Sequence, residues 1–318
     1  MNVVQYYKAI ILISVVLLMQ GCFGTDEPNS LINEESDRIV QEYIEDNNIQ
    51  ATKSNLNYYY EPITQNPQGV DIESGDIVGL YYKISQLTGQ HIDSLTASMG
   101  NPAIFVHVAN RETVTVPSVA NLGLTWMKEG ETYRFYIPSY LAYGSYANDT
   151  LMPANANIKM DITVAFVTDS AGRANMEDQM ILNYLTDQSI SNYQLLDNGV
   201  YYYQISAGTG SAPTAGSFFE LNYEGFFVEN GNVFDEADSA VFQMGSNNQV
   251  RVSSGETISG FSKGIAEMVK GEKGVVLMPS AMAYGAAQNF LIFPRVISSS
   301  PSAIPPFAPL GFELELLE

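Results

Sequence analysis

The sequence predicts an α+β fold arranged as two similar units. Three observations carry this. Short stretches of the first half recur in the second at one fixed distance. Each half opens with an apolar spacing of helical type. Behind that opening come β-branched, alternating runs around a single short helical pattern, and many strands with few helices indicate α+β.

The recurrence is plain in the residues. Tyr136-Ile-Pro-Ser-Tyr-Leu-Ala-Tyr-Gly144 returns as Leu277-Met-Pro-Ser-Ala-Met-Ala-Tyr-Gly285, with Tyr143 and Tyr284 141 positions apart. Met127-Lys-Glu-Gly-Glu131 returns as Met268-Val-Lys-Gly-Glu272, and Tyr82 as Tyr223, at the same distance. Tyr43-Ile44 matches Tyr184-Leu185, and Tyr58-Tyr-Tyr60 roughly matches Tyr201-Tyr-Tyr203. A constant offset over such a span means tandem duplication of a domain, not a solenoid repeat. A chain of 318 residues suits about two domains. The units read as 30–170 and 171–318.

In the first unit Ser30 is placed to cap a helix carrying Ile32, Ile39, Val40, Tyr43 and Ile44. Met180, Ile181, Tyr184 and Leu185 repeat that spacing in the second. These helices either pack on their own units or mediate contact between chains. Val200–Ile205, Phe218–Phe227, Lys273–Met278 and Gly311–Leu317 fit strands, the last with Phe312, Leu314 and Leu316 on one face. Phe261, Ile265 and Met268, and earlier Ala120, Leu124 and Met127, mark the short helix of each unit.

Charge and composition narrow the function. With 14 basic and 35 acidic residues the net charge is −21, which argues against nucleic acid as a partner. The two histidines, His91 and His107, do not share a metal-ligand spacing, and one cysteine forms neither a disulfide nor a thiolate cluster. No cofactor or metal is implied. That cysteine, Cys22, follows an apolar run of 11 residues, Ala9–Met19, behind Lys8. A spanning helix needs about 20, so the run has the length of a signal-peptide core. Leu18-Met19-Gln20-Gly21-Cys22 resembles a bacterial lipobox, with Met19 in place of the usual leucine. The expectation is a signal peptide over 1–21, a lipid on Cys22, and a flexible tether over 22–29. The protein would then be lipid-anchored in a bacterial cell envelope, on the outer membrane's periplasmic or surface side.

The second unit resembles the FK506-binding protein (FKBP) family of peptidyl-prolyl cis-trans isomerases. The resemblance rests on ordered pieces: Leu221-Asn-Tyr-Glu-Gly225, Phe234-Asp235, Gly255-Glu-Thr-Ile-Ser-Gly-Phe261, Met268-Val-Lys-Gly-Glu272, Pro279-Ser-Ala-Met-Ala-Tyr-Gly285, Ile304-Pro-Pro306 and Leu310–Leu317. It implies a bent antiparallel sheet wrapped around the short helix, with the binding cleft between them. By position, Phe261 would form the pocket floor, where tryptophan is usual in the family. Tyr223, Phe234, Ile258 and Phe312 would line its walls. Tyr284 would place its hydroxyl near the substrate carbonyl, with Asp235 beside that carbonyl or orienting Tyr223, and Ile304 would close one rim. The implied partners are proline-containing polypeptides and macrolides of the FK506 type. An insertion, Ala286–Ser302, departs from the family pattern at a loop that overhangs the cleft.

The first unit keeps Tyr82, Asp93 and Tyr143 but has Ala120 at the floor position. It has Ile92 for Phe234, Met160 for Phe312 and Met152 for Ile304. Each lost aromatic wall removes on the order of 1–3 kcal/mol of burial, so this unit is expected to be weakly active or inactive. The resemblance thus implies prolyl isomerisation of exported proteins by the second unit. The alternative is a non-catalytic, membrane-tethered chaperone or assembly module that retains the fold.

Overall fold

The computed structural model describes residues 28–317 except 149, 287–290 and 293–303, with the backbone alone for 28, 29, 291 and 292. Residues 1–27, with the signal-peptide and Cys22 expectations, lie outside the described residues.

The first unit opens with helix α1 (Pro28–Asp46). The helix starts at Pro28, not behind a Ser30 cap. Proline's fixed φ suits a first helical position, where its missing N–H costs nothing, so two residues assigned to the tether are helical. The strands are β1 (Thr52–Lys53), β2 (Tyr59–Thr64), β3 (Ile77–Gln86), β4 (His91–Leu95), β5 (Ala103–Val106), β6 (Thr115–Val116), β7 (Thr132–Ile137) and β8 (Ile158–Thr168). The short helix α2 (Val119–Leu122) runs on into a 3₁₀ turn, Gly123–Trp126.

The second unit opens with α3 (Ser170–Asp187), whose Asp169 side chain accepts from the Gly172 N–H as an N-cap. Its strands are β9 (Gln194–Leu195), β10 (Tyr201–Ser206), β11 (Phe218–Phe227), β12 (Val233–Met244), β13 (Val250–Val252), β14 (Gly255–Glu256), β15 (Lys273–Met278), β16 (Leu291–Ile292) and β17 (Leu310–Leu316), with α4 (Ser259–Ala266) between β14 and β15.

Both main sheets are antiparallel. The first runs β1-β2-β7-β8-β3-β4, with β5 also on β3. The second runs β14-β13-β12-β11-β17-β15-β10-β9. The repeat is therefore structural: β3, β7 and β8 occupy the places of β11, β15 and β17. The first unit differs where the single long β12 is split into β4 and β5. A third, parallel pairing joins the units, Leu291–Ile292 of the insertion lying beside Thr115–Val116.

One face of each sheet closes on its short helix. In the second unit Phe261, Ile265 and Met268 meet Leu221, Val276, Phe312, Leu314 and Leu316, all buried. Gly264 allows this approach, since a Cβ there would stand 2.7 Å from the Val276 side chain. The other face takes the preceding helix. Val40 and Ile44 of α1 pack with Leu87 and Tyr136; Ile181 and Leu185 of α3 pack with Tyr201, Phe226, Val275 and Leu277. Packing on the sheet is thus what these helices do, although Ile32 and Ile39 stay outside the buried stripe.

One recurring motif is explained by the geometry of a turn. In Met-x-x-Gly-Glu, Gly130 and Gly271 adopt φ of +79° and +81°, a region where glycine is favoured. The buried Glu131 and Glu272 carboxylates accept from the Lys128 and Val269 N–H groups, closing the turn.

Candidate functional site

The site of the second unit is assembled by β11, β12, α4 and β17. Alternation along β11 turns Leu221 and Tyr223 to the helix face, and β17 brings Phe312 opposite Gly225. Gly225 is needed there. A Cβ at that point would stand 2.8 Å from both the Phe234 and the Phe312 rings. The register shift of β12 against β11 next to Tyr223 delivers Phe234 and Asp235 to the same end of the strand pair. Ile258 enters α4 in extended conformation, and Phe261 follows one turn in.

These side chains form a connected aromatic cluster. Phe261 stands edge-on to Phe312 at 5.2 Å between centroids and to Tyr223 at 6.2 Å. Phe234 meets Phe312 edge-on at 5.6 Å. Such tilted contacts suit the ring quadrupoles. Phe261 and Phe312 are buried, while Tyr223, Phe234, Ile258 and Ile304 are half-buried against the same core. The cluster therefore has a closed floor and walls that reach solvent.

The polar groups gather at one rim. The Tyr223 hydroxyl donates to Asp235 Oδ2 at 3.0 Å. Burial, then the bond to Asp235, pushes the Tyr223 phenol up to about 12. Burial and the Asp235 charge also raise Tyr284, which is 48% exposed at the mouth. Both phenols thus stay protonated donors at neutral pH.

The structure adds residues that the family pattern does not single out. Phe242 lies 5.6 Å from Phe261 and 6.2 Å from Tyr223, and stacks on Phe219. The alternation of β12 was the available signal. The loop bearing Tyr284 is fixed from behind by α3. Glu177, buried, accepts from the Ser280 N–H at 2.7 Å and from its hydroxyl at 2.8 Å. Arg173 donates to Glu177 and to the Phe307 carbonyl, tying in the segment that follows Ile304. In the first unit Ser36 takes the place of Glu177 and bonds Ser139.

The corresponding residues of the first unit also come together, but as solid core. Tyr82, Ile92, Ala120, Met152 and Met160 are all buried in one cluster. Phe105, paired with Val78 as Phe242 is with Phe219, is buried too. The Tyr82 hydroxyl still donates to Asp93 Oδ2 at 2.8 Å. Tyr143, the counterpart of Tyr284, has its hydroxyl buried with no hydrogen-bond partner among the described residues. His107 is likewise structural, buried with Nδ1 2.9 Å from Asn121 Oδ1. No cluster of three or more metal-ligating side chains occurs among the described residues.

The family model for FKBP-type peptidyl-prolyl cis-trans isomerases matches residues 69–165 and 209–317, more than half of the chain. This chain belongs to that family. The FKBP match covers both units, including the one whose cleft is filled. Among curated relatives, the FK506-binding protein 1 of Candida glabrata is 32% identical over 126 residues, 39% of this chain and 96% of that protein. The 46 kDa FK506-binding nuclear protein of Spodoptera frugiperda is 35% identical over 118 residues, 37% of this chain, which spans only 25% of that longer protein. A crystal structure of a peptidyl-prolyl cis-trans isomerase from Pseudomonas syringae pv. tomato aligns with a TM-score of 0.35 at 24% identity, over 48% of this chain and 96% of that one.

Proposed function

We propose that the second unit catalyses cis–trans isomerisation of X-Pro bonds in exported polypeptides, and that the first unit does not. The observation that carries this is the contrast between the two clefts. One presents half-buried Tyr223 and Phe234 over a Phe261–Phe312 floor; the other has buried the matching side chains. We further propose that Cys22 bears the lipid that holds both units at an envelope membrane.

The chemistry needs neither nucleophile nor metal. Twisting an X-Pro amide breaks its resonance, against a barrier of about 18–20 kcal/mol. The planar amide has the larger dipole and is better stabilised by water than the twisted form. A cleft that replaces water with aromatic carbon disfavours the planar form more, which is differential binding of the transition state. Phe261, Phe312 and Phe234 hold the proline ring in this scheme. Tyr284 offers its hydroxyl to the substrate carbonyl, and Asp235 holds the Tyr223 hydroxyl in place. Ile258 and Ile304 limit the pocket at its two ends. FK506-type macrolides would compete for the same surface.

The test is a prolyl-peptide assay on the full chain with an FK506-type macrolide present or absent. Catalysis suppressed by the macrolide supports the reading. A chain that suppresses aggregation of an unfolded protein but never exceeds the uncatalysed isomerisation rate would be a binding module instead.

A further inference from the structure

The outer face of the first sheet carries a hollow of about 220 Å³, on the opposite side of the strands from Tyr82, Ile92 and Met160. Lys83, Ser85, His91, Arg134, Lys159 and Asp161 line it. They are direct cross-strand neighbours. Arg134 pairs with Asp161 and Asp161 with Lys83 in one row, and Lys159, Ser85 and His91 form the next. Three of the chain's 14 lysines and arginines thus converge on one spot of a protein with net charge −21.

The charges there are not balanced. Arg134 is bound bidentately by Asp161, at 2.6 and 2.8 Å. Glu61, opposite Arg134 on β2, accepts from the Tyr136 hydroxyl. Among the described residues no carboxylate forms an ion pair with Lys83 or Lys159. Two ammonium groups, an imidazole and a hydroxyl therefore face one space with a positive balance.

The second unit shows that this is not a property of the fold. At the matching strand positions Lys83 is replaced by Glu224, Ser85 by Phe226 and Lys159 by Gly311, with Glu313 opposite Glu224. Phe226 fills the equivalent space, its ring 5.6 Å from Tyr184 of the covering helix. Gly311 makes way for it: a Cβ there would stand 2.2 Å from the Phe226 ring. The first unit instead keeps the space open and lines it with cations.

We propose that this hollow binds a phosphate-bearing anion. Donors on several sides suit a tetrahedral oxyanion, which offers acceptor oxygens in several directions; lysine serves as a point charge for phosphate. The phosphate belongs either to a phospholipid headgroup or to a free phosphate compound.

The test titrates the full-length protein at constant ionic strength with inorganic phosphate and, separately, with dihexanoylphosphatidylglycerol below its micelle concentration, by calorimetry. The expected result is saturable binding, weakened at least about tenfold in Lys83→Gln/Lys159→Gln, a loss of more than a factor of ten in the association constant. Ser85→Glu, which keeps the three cations but sets a carboxylate between them, should abolish it. Tighter binding of the lipid assigns the headgroup, and tighter binding of inorganic phosphate a free compound. Binding absent from the wild type, or equal in wild type and both variants, overturns the proposal. So does salt-sensitive self-association in sedimentation velocity that the lysine variant loses while no phosphate binds. That outcome would assign the hollow to the acidic outer face of a second copy.

Discussion

Phe261 shows how one side chain serves both stability and site. It is buried and touches Tyr223, Phe242 and Phe312. Phe261→Ala removes a buried ring and leaves a cavity, at a cost of about 3–5 kcal/mol. Urea unfolding should show a loss of unfolding free energy of that size, and prolyl turnover should fall at temperatures where the variant is still folded. Tyr223 supports a pH prediction. Its phenol is raised from 10.0 to about 12, first by burial. A raised folded-state value contributes stability that is complete below the unfolded value and lost as pH rises through the folded one. Stability should therefore decline between about pH 10 and pH 12, while turnover should show no ionisation step from Tyr223 between pH 6 and 9. A Tyr223→Phe variant with a smaller alkaline decline than the wild type checks the assignment. At this scale the sequence was informative: the pairing of Tyr223 with Asp235 and the aromatic set were legible from ordered motifs. The role of Glu177 was not. It looks like one more acid on a helix, and only the fold brings it to Ser280, 103 positions away.

The preceding helices are the elements with most consequence for the cleft. Arg173 and Glu177 are 6% and 2% exposed, and Glu177 also anchors Ser280. Removing one partner of a buried pair strands the other charge, at about 3–5 kcal/mol. Glu177→Ala should lose that much in chemical denaturation. Glu177→Gln, which keeps an acceptor for Ser280, should lose less and retain more turnover. The long strands were readable because their alternation sets one face to the core: β11 and β15 run over the residues that the pattern marks. The edges were harder. The start of α1 moved because proline at a first helical position outweighed the serine cap, and Met268 lies beyond the end of α4 while still filling its core. The split of β12 into β4 and β5 in the first unit leaves no simple trace in composition.

In the whole molecule, duplication has produced two units with opposite assignments of the same positions. The wall residues Tyr223 and Phe234 are half-buried in the second, while Tyr82 and Ile92 at the same positions of the first are buried with Ala120 and Met160. The outer sheet face is cationic in the first and acidic in the second, where Glu224, Glu313 and Glu315 line a hollow of their own and Phe226 takes the place matching Ser85. Neither outer face was legible in the sequence, because Lys83, Arg134 and Lys159 are scattered along the chain and meet only through strand register. The insertion adds a link between units through the pairing of Leu291–Ile292 with Thr115–Val116. The measurement that bears most directly on the central claim is prolyl-peptide turnover by the full chain carrying Phe312→Ala, beside the same chain carrying Tyr82→Phe. The first should fall to the uncatalysed rate while the second keeps the wild-type rate. Turnover that survives Phe312→Ala but is lost with Tyr82→Phe would contradict that claim.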